Sequence, residues 1–99
     1  ELSALTHLDL SQNQITGIIP PNIGSLRFLR TLLLSHNKLK GQIPAEIGEL
    51  SYLESLGLSH NMLMGRICTE IGKLRALQQL DLSHNHLQGI IPSQLGDLL

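Results

Sequence analysis

The sequence predicts an α/β solenoid built from four stacked turns of about 24 residues each. Three observations support this fold class. Asparagines and glycines recur with one fixed period, leucine and isoleucine supply nearly all of the apolar residues, and apolar and polar residues alternate just before each repeated asparagine. A constant period of about 20–50 residues is typical of repeat architectures, in which each unit is stable only against its neighbours. We therefore expect one repeat domain over residues 1–99.

Each turn should begin with a short strand. Leu8 and Leu10 alternate with His7, Asp9 and Ser11, which is the period-two pattern of a strand with one buried face. The equivalent segment returns one period later in the same direction, so we expect the strands to form a parallel sheet. The inward side chains should stack in columns that form the core, namely Leu5, Leu8, Leu10 and their equivalents, together with Ile15, Leu39, Leu63, Leu87, Ile19, Ile43, Ile67 and Ile91.

An asparagine follows each strand, where the chain must turn away from the sheet. Its amide can both donate and accept hydrogen bonds, so it can satisfy backbone groups of adjacent turns. We predict an internal ladder formed by Asn13, Asn37, Asn61 and Asn85. The repeated glycines are expected at turn positions that tolerate neither a side chain nor a negative φ, in two columns: Gly17, Gly41, Gly65 and Gly89, then Gly24, Gly48, Gly72 and Gly96.

Composition and charge exclude several classes of function. Seven basic and eight acidic residues give a formal charge of −1, and no basic cluster or set of stacking aromatics indicates a nucleic-acid partner. No apolar run reaches the roughly 20 residues that a membrane span needs, so this segment should not contact a membrane. Cys68 is the only cysteine, which precludes a disulfide within the chain. No motif points to a cofactor.

The segment from Leu34 to Leu50, LSHNKLKGQIPAEIGEL, resembles the plant-specific class of leucine-rich repeats, which is marked by Gly-x-Ile-Pro followed by Ile-Gly-x-Leu. The resemblance covers essentially the whole chain. It implies a right-handed superhelix with the parallel sheet on the concave face, short 3₁₀ or helical turns on the convex face, and a small extra sheet near Gly-x-Ile-Pro. Repeats of this class resemble those in ectodomains of plant receptor-like kinases and receptor-like proteins, and those of polygalacturonase-inhibiting proteins.

The chain departs from the family pattern in two ways. Family ectodomains carry more repeats and cysteine-paired caps, whereas apolar edges are expected here around Leu2, Leu5, Leu95 and Leu98. Because solenoids need polar caps, we expect an uncapped excerpt of a longer ectodomain, whose parent chain has room for a transmembrane segment and a Ser/Thr kinase domain. The second departure is Cys68, which stands where Pro20, Pro44 and Pro92 occupy the other turns.

The candidate binding surface is the solvent-facing side of the strands. Repeat proteins keep the core columns fixed and vary this face, so it can encode a partner. The residues on it are His7, Asp9, Gln12, Thr31, Leu33, His36, Ser55, Gly57, His60, Gln79, Asp81 and His84. Leu33 stands out because an exposed leucine there has no core to serve, although single exposed apolar residues are also ordinary.

His36, His60 and His84 should form a column about 5 Å apart on adjacent strands, with Gln12 at the same position of the first turn. Stacked imidazoles could share a transition metal, act as a pH sensor, or be ordinary polar surface groups. The surface interpretation is favoured over a metal site, because no carboxylate lies in the column to orient the rings. A pH-dependent contact is the main alternative.

Catalysis is disfavoured by the expected geometry. Cys68 falls on the returning segment while the histidines follow the strands, so a Cys–His pair is not expected. Asp9 and Asp81 lie three strand spacings apart, about 14 Å, which is too far for paired-carboxylate chemistry. The segment is therefore expected to bind rather than to catalyse.

Three functions remain. The resemblance favours part of the extracellular ligand- or co-receptor-binding domain of a plant receptor-like kinase in signalling or defence, located at the cell surface and binding a peptide, a protein or a co-receptor ectodomain. The alternative is inhibition of a polygalacturonase in plant defence. Ice binding is the least favoured; it is suggested by the small polar column of Ser11, Ser35, Ser59 and Ser83, but the bulky histidines beside that column disfavour a flat lattice match.

Overall fold

The computed structural model describes residues 4–89 and residue 91. Within these residues, four pairs of short strands are separated by three 3₁₀ helices. In chain order the strands are β1 (His7–Asp9), β2 (Thr16–Ile18), β3 (Thr31–Leu33), β4 (Lys38–Gly41), β5 (Ser55–Gly57), β6 (Met62–Arg66), β7 (Gln79–Asp81) and β8 (His86–Gln88). The 3₁₀ helices are Pro21–Ser25, Ala45–Glu49 and Thr69–Lys73.

The odd-numbered strands form a first sheet in the order β1-β3-β5-β7. All of its pairs are parallel, and Leu8, Leu32, Leu56 and Leu80 lie directly opposite one another. Partners in this sheet are one full repeat apart, which is 24 residues for Ser55 and Gln79. The predicted solenoid with a parallel sheet is confirmed, and equivalent residues of successive turns form straight rows across the strands.

The even-numbered strands form a second parallel sheet in the order β2-β4-β6-β8, near the Gly-x-Ile-Pro segment. Its register differs from that of the first sheet, because Gly17 pairs with Leu39 and not with the equivalent glycine, and Gly65 pairs with Leu87 in the same way. Each strand is thus displaced by two residues, roughly 6–7 Å, relative to the repeat. Equivalent residues do not lie side by side here, and each core leucine instead lies beside the glycine of the preceding turn.

The 3₁₀ helices form the third side of each turn. Each follows a residue in extended conformation, and Cys68 adopts the same backbone as Pro44, with φ −70° and ψ 143°. An isoleucine in each helix points into the core. Gly48 lies where the helices approach most closely, since a Cβ there would be 2.7 Å from the backbone oxygen of Glu70.

The two glycine columns therefore have different roles. Gly17, Gly41, Gly65 and Gly89 adopt positive φ, as predicted. The prediction of positive φ is wrong for Gly24, Gly48 and Gly72, which lie inside the 3₁₀ helices. At Gly24 and Gly48 it is the closeness of the next turn that excludes a side chain. Gly96 lies outside the described residues, as do Leu2, Pro92, Leu95 and Leu98.

The core is the continuous interior of the stack. The completely buried side chains all come from the middle of the described chain: Leu29, Leu32, Ile47, Leu50, Leu53, Leu56, Leu58, Leu63 and Ile71. Leu10 and Ile91 were expected in the core, yet they are 40% and 55% exposed. They belong to the outermost described turns, where a neighbouring turn covers only one side. Within residues 4–89, no helix has the length and apolarity that crossing a bilayer requires.

Candidate binding face

The first sheet presents its outward side chains in rows that run across the strands. One row contains His7, Thr31, Ser55 and Gln79, and the next contains Asp9, Leu33, Gly57 and Asp81. Within the first row, the hydroxyl of Ser55 donates a hydrogen bond to Oε1 of Gln79 over 3.0 Å. The predicted strand residues are thus brought together on one face. None of the residues in these two rows is a lysine or an arginine.

Leu33 and Gly57 differ from expectation. Gly57 is buried and Leu33 is half-buried, although both were predicted to face solvent. The Cδ2 atom of Leu33 lies 3.1 Å from the position that a Cβ on Gly57 would occupy. Leu33 therefore leans across the glycine of the next turn and covers its backbone. The space exists only because Gly57 has no side chain.

A shallow depression of about 240 Å³ lies beside Gly57. Leu33 forms one wall, while Gln79 and Asp81 form the opposite wall on the next strand. The depression therefore combines an apolar wall with a polar, acidic one. A partner's side chain could sit there below the level of its neighbours.

The two carboxylates of this face are held in their charged form. The hydroxyl of Ser83 donates a 2.7 Å hydrogen bond to Asp81, and the backbone N–H of Ser83 donates another over 3.1 Å. These bonds hold the pKa of Asp81 below its usual value. Ser11 donates to Asp9 in the same way and lowers the pKa of that carboxyl. With two fixed carboxylates and no lysine or arginine in these rows, the face is acidic at neutral pH.

The serine row at the ends of the strands is occupied by internal hydrogen bonds. Ser59 is 5% exposed, and its hydroxyl donates to Oγ of Ser35 over 3.0 Å. Ser11 and Ser83 bind the aspartates of their own turns. The hydroxyls of Ser11, Ser59 and Ser83 are therefore already engaged in hydrogen bonds within the protein, and the row does not form a free polar array.

The histidine column lies just past the strands, not on them. The imidazoles stack almost in parallel, with centroids 4.2 Å apart for His36 and His60 and 4.1 Å apart for His60 and His84. All three residues and Gln12 adopt φ between 56° and 59°, a left-handed backbone that is uncommon outside glycine. This left-handed conformation was not predicted from the sequence. The positions that adopt it share one sequence feature: each directly precedes a repeated asparagine, where the chain leaves the strand.

The environment of the middle imidazole, that of His60, favours its neutral form. The pKa of His60 lies below its usual value, mainly because the ring is partly removed from solvent. Repulsion by the positive charges of His84 and His36 lowers it further, while the negative charge of Asp81 opposes this effect. Parallel stacking directs the ring nitrogens of neighbours along parallel planes, so they do not converge on one metal ion. Among residues 4–89, no group of three potential metal ligands is found.

The asparagine amides lie beneath this column and tie successive turns together. The amide of Asn61 donates to the carbonyl oxygens of Leu34 and Leu58 over 3.0 and 3.1 Å, and its oxygen accepts from the N–H of Leu39 over 3.1 Å. Asn37 makes the equivalent bonds one turn earlier. Asn13 is exposed and donates only within its own turn.

An exposed aromatic pair at the edge of the face was also missed. Phe28 and Tyr52 stack with ring centroids 5.8 Å apart, and they are 52% and 50% exposed. Beside them Arg30 forms an exposed ion pair with Glu54 at 3.3 Å. The signal was available, because the single Phe and the single Tyr are separated by one repeat.

The thiol of Cys68 lies on the returning side of its turn. Burial, and then the charge of Glu70, raise its pKa above the usual value, so the thiolate form is disfavoured. The sulfur is a weak donor to the backbone oxygen of Pro44 at 4.0 Å.

Comparisons with known proteins agree with this architecture. Leucine-rich repeat family models match residues 1–39, 52–74 and 76–98. No curated protein sequence matches the chain. Among solved structures, the chain is 45% identical to one in the BIR3–SERK2 complex from Arabidopsis thaliana, with a TM-score of 0.90, covering 93% of this chain and 50% of that one.

Two further structures are informative. The Arabidopsis receptor kinase HAESA ectodomain, solved in complex with an N-terminally extended IDA peptide hormone ligand, is 41% identical, with a TM-score of 0.87 over 91% of this chain and 16% of its own. A plant ice-binding protein is 35% identical, with a TM-score of 0.89 over 95% of this chain and 31% of its own. The chain thus spans half or less of each of these three structures.

The periodic core, the two parallel sheets and the family models agree with one another. The chain is similar to plant receptor kinase ectodomains over almost its full length. It has the architecture of a non-catalytic binding module, and it belongs to the leucine-rich repeat family.

Proposed function

We propose that this chain is a segment of the extracellular ligand- or co-receptor-binding domain of a plant receptor-like kinase, and that it binds a peptide or protein across the first sheet. The observation that carries the proposal is the depression beside Gly57, which has an apolar wall at Leu33 and an acidic wall at Asp81. The similarity to the HAESA ectodomain, which was solved with a peptide hormone ligand, supports the same assignment.

The face suits an extended partner. Its outward residues form straight rows, and neighbouring residues of a row lie one strand spacing, about 4.8 Å, apart. A peptide laid across the strands therefore meets a different residue on each strand. Along the row of Thr31, Ser55 and Gln79 these residues are polar and close to the surface. A peptide could therefore exchange hydrogen bonds with this row and place one side chain in the depression.

The test is site-specific photo-crosslinking in plant extracellular fluid. A photoreactive residue replaces Thr31 on the candidate face or, as the matched control, Lys73 on the exposed side of a 3₁₀ helix. We expect an adduct with a small peptide or a receptor ectodomain from position 31 alone. Asp81→Asn should weaken that adduct, because it removes the acidic wall of the depression.

Other outcomes have defined meanings. A polygalacturonase in the adduct would favour the inhibitor function over the receptor function. Equal adducts from both positions, or none from position 31, would contradict binding across the first sheet.

Ice binding is a second candidate, favoured by the 35% identity to a plant ice-binding protein. The serine row does not support it, since Ser59 is buried and its hydroxyl is bound to Ser35. Inhibition of ice-grain growth in a recrystallisation assay, lost on replacing exposed residues of one face, would support it. Unchanged grain growth would remove it.

A further inference from the structure

The second sheet has an outer surface that the proposed function does not use. The outward residues of its strands are all exposed, and we call them the flank face: Thr16, Ile18, Lys38, Lys40, Met62, Met64, Arg66, His86 and Gln88. Ile18 lies opposite Lys40, and Lys40 lies opposite Met62. Apolar and basic side chains therefore alternate within one row.

The charge of the flank face is one-sided. Residues 14–18, 38–42, 62–66 and 86–88 contain Lys38, Lys40 and Arg66 and no acidic residue. In the described part of the chain, one ion pair is found, and it joins Arg30 and Glu54. Within that part, Lys38, Lys40 and Arg66 are therefore not paired with a carboxylate. The first sheet carries two carboxylates and no lysine or arginine in its outward rows. The two sheets thus present opposite charges, although the whole chain is nearly neutral.

Large apolar side chains are exposed among these cations. Ile18 is 57% exposed, Met62 is 45% exposed and Met64 is 52% exposed. Scattered apolar residues on a surface are ordinary, but these three belong to β2 and β6, which lie on either side of β4 in one small sheet. Methionine is unbranched and polarisable, so it adapts to the shape of a partner's side chains.

The positive-φ glycines leave room for side chains of the preceding turn to lie across them. Ile18 Cγ2 lies 3.0 Å from where a Cβ on Gly41 would be, and Arg66 Cγ lies 3.2 Å from the same point on Gly89. Each residue that follows a glycine therefore lies across the glycine of the next turn. An open hollow of about 440 Å³ remains between Gln42, Arg66 and Gln88. The stem of Arg66 is thus laid along the sheet, and the flank face offers apolar surface bordered by cations.

We propose that the flank face is a docking surface for an acidic, partly apolar segment of a partner protein. Carboxylates of the partner pair with Lys38, Lys40 and Arg66, and its apolar side chains pack on Ile18, Met62 and Met64. Charge complementarity with these cations calls for a negatively charged partner. The exposed methionines favour a protein over a purely polar polyanion. This surface is separate from the first sheet, so it does not depend on the proposed function.

The test uses the whole chain and two probes: a fluorescent peptide of alternating Glu and Leu, and sodium polygalacturonate. Binding of the peptide is followed by fluorescence anisotropy at low and at physiological salt. We expect the Lys40→Glu, Arg66→Glu double variant to weaken peptide binding at least tenfold. The matched control, Lys73→Glu with Arg75→Glu, changes the net charge equally on another side of the molecule and should leave binding within about twofold.

The apolar contribution is tested separately by the Met62→Ser, Met64→Ser double variant, which keeps every charge. We expect it to weaken peptide binding several-fold and to leave polygalacturonate binding unchanged. Circular dichroism verifies that each variant keeps the fold. Equal losses in the two charge-reversal variants would reduce the effect to net charge and overturn the proposal. Tight polygalacturonate binding, with peptide binding insensitive to the methionines, would also overturn it and indicate an acidic polysaccharide instead.

Discussion

Replacement of Asn61 by leucine tests the main polar contribution to the stability of the stack. Asn61 is 7% exposed, and its oxygen is the acceptor found for the buried N–H of Leu39. The substitution leaves that donor without a partner, which costs about 1–3 kcal/mol. The consequence should be a local loss of cohesion between the second and third described turns.

The lost donor bonds of Asn61 cost less. The carbonyl oxygen of Leu34 also accepts from Asn37, and that of Leu58 also accepts from Asn85, so neither is left without a donor. Each remaining bond contributes only about 0.5–1.5 kcal/mol net. The added apolar surface of the leucine offsets part of the loss, so we expect the free energy of unfolding to fall by about 2–4 kcal/mol.

Asn13→Leu is the matched control, because the same residue type is exposed there and bonds only to its own turn. We expect it to change the free energy of unfolding by less than about 1 kcal/mol. Both variants are measured by urea unfolding followed by circular dichroism, with the same capping repeats on each, since solenoid ends need polar caps. If the two substitutions cost the same, the buried amide does not stabilise the stack as argued.

Three further predictions follow from single positions. Cys68→Pro should raise the free energy of unfolding by about 0.4–1 kcal/mol, because φ is already −70°, as at Pro44; a lower urea midpoint would refute this. Gly48→Ala should cost about 1–3 kcal/mol, since its Cβ would lie 2.7 Å from the backbone oxygen of Glu70, and an unchanged melting temperature would contradict it. Folding lowers the pKa of His60, so the unfolded chain binds this proton at a higher pH than the folded chain does. The stability that neutral His60 contributes is therefore complete above pH 6.5. It is lost as the pH falls through the pKa of the folded state. His60→Asn, which tolerates the left-handed backbone, should therefore flatten the pH dependence of the melting temperature below about pH 6.5, and an equal slope in both proteins would show that the column does not sense pH.

The rows of the first sheet could be predicted from sequence because their register equals the repeat length. Once the period was known, the neighbours of Thr31 and Ser55 followed without any further information. The orientation of Leu33 could not be predicted in this way. It depends on the missing side chain of Gly57 in the next turn, so a pattern of single positions assigns both residues to solvent.

The second sheet was harder for the same physical reason. Its strands are offset by two residues per turn, and the period of the sequence does not reveal this offset. The neighbours of Lys40 are therefore Ile18 and Met62, and neither occupies the equivalent position of its repeat. The alternation of apolar and basic residues on the flank face becomes visible only when this register is known.

The two registers have a consequence for the exchange of repeats. A duplicated or transplanted turn extends each row of the first sheet by the residue at the equivalent position of its repeat, so the pairing of equivalent positions is kept. On the second sheet the same turn creates diagonal neighbours on both sides, as Ile18 and Met62 are neighbours of Lys40. A solenoid with exchanged repeats would thus keep the pairing of equivalent positions on the first sheet, while new combinations of neighbours arise on the flank face. New binding specificities could arise on the flank face in this way without any point substitution.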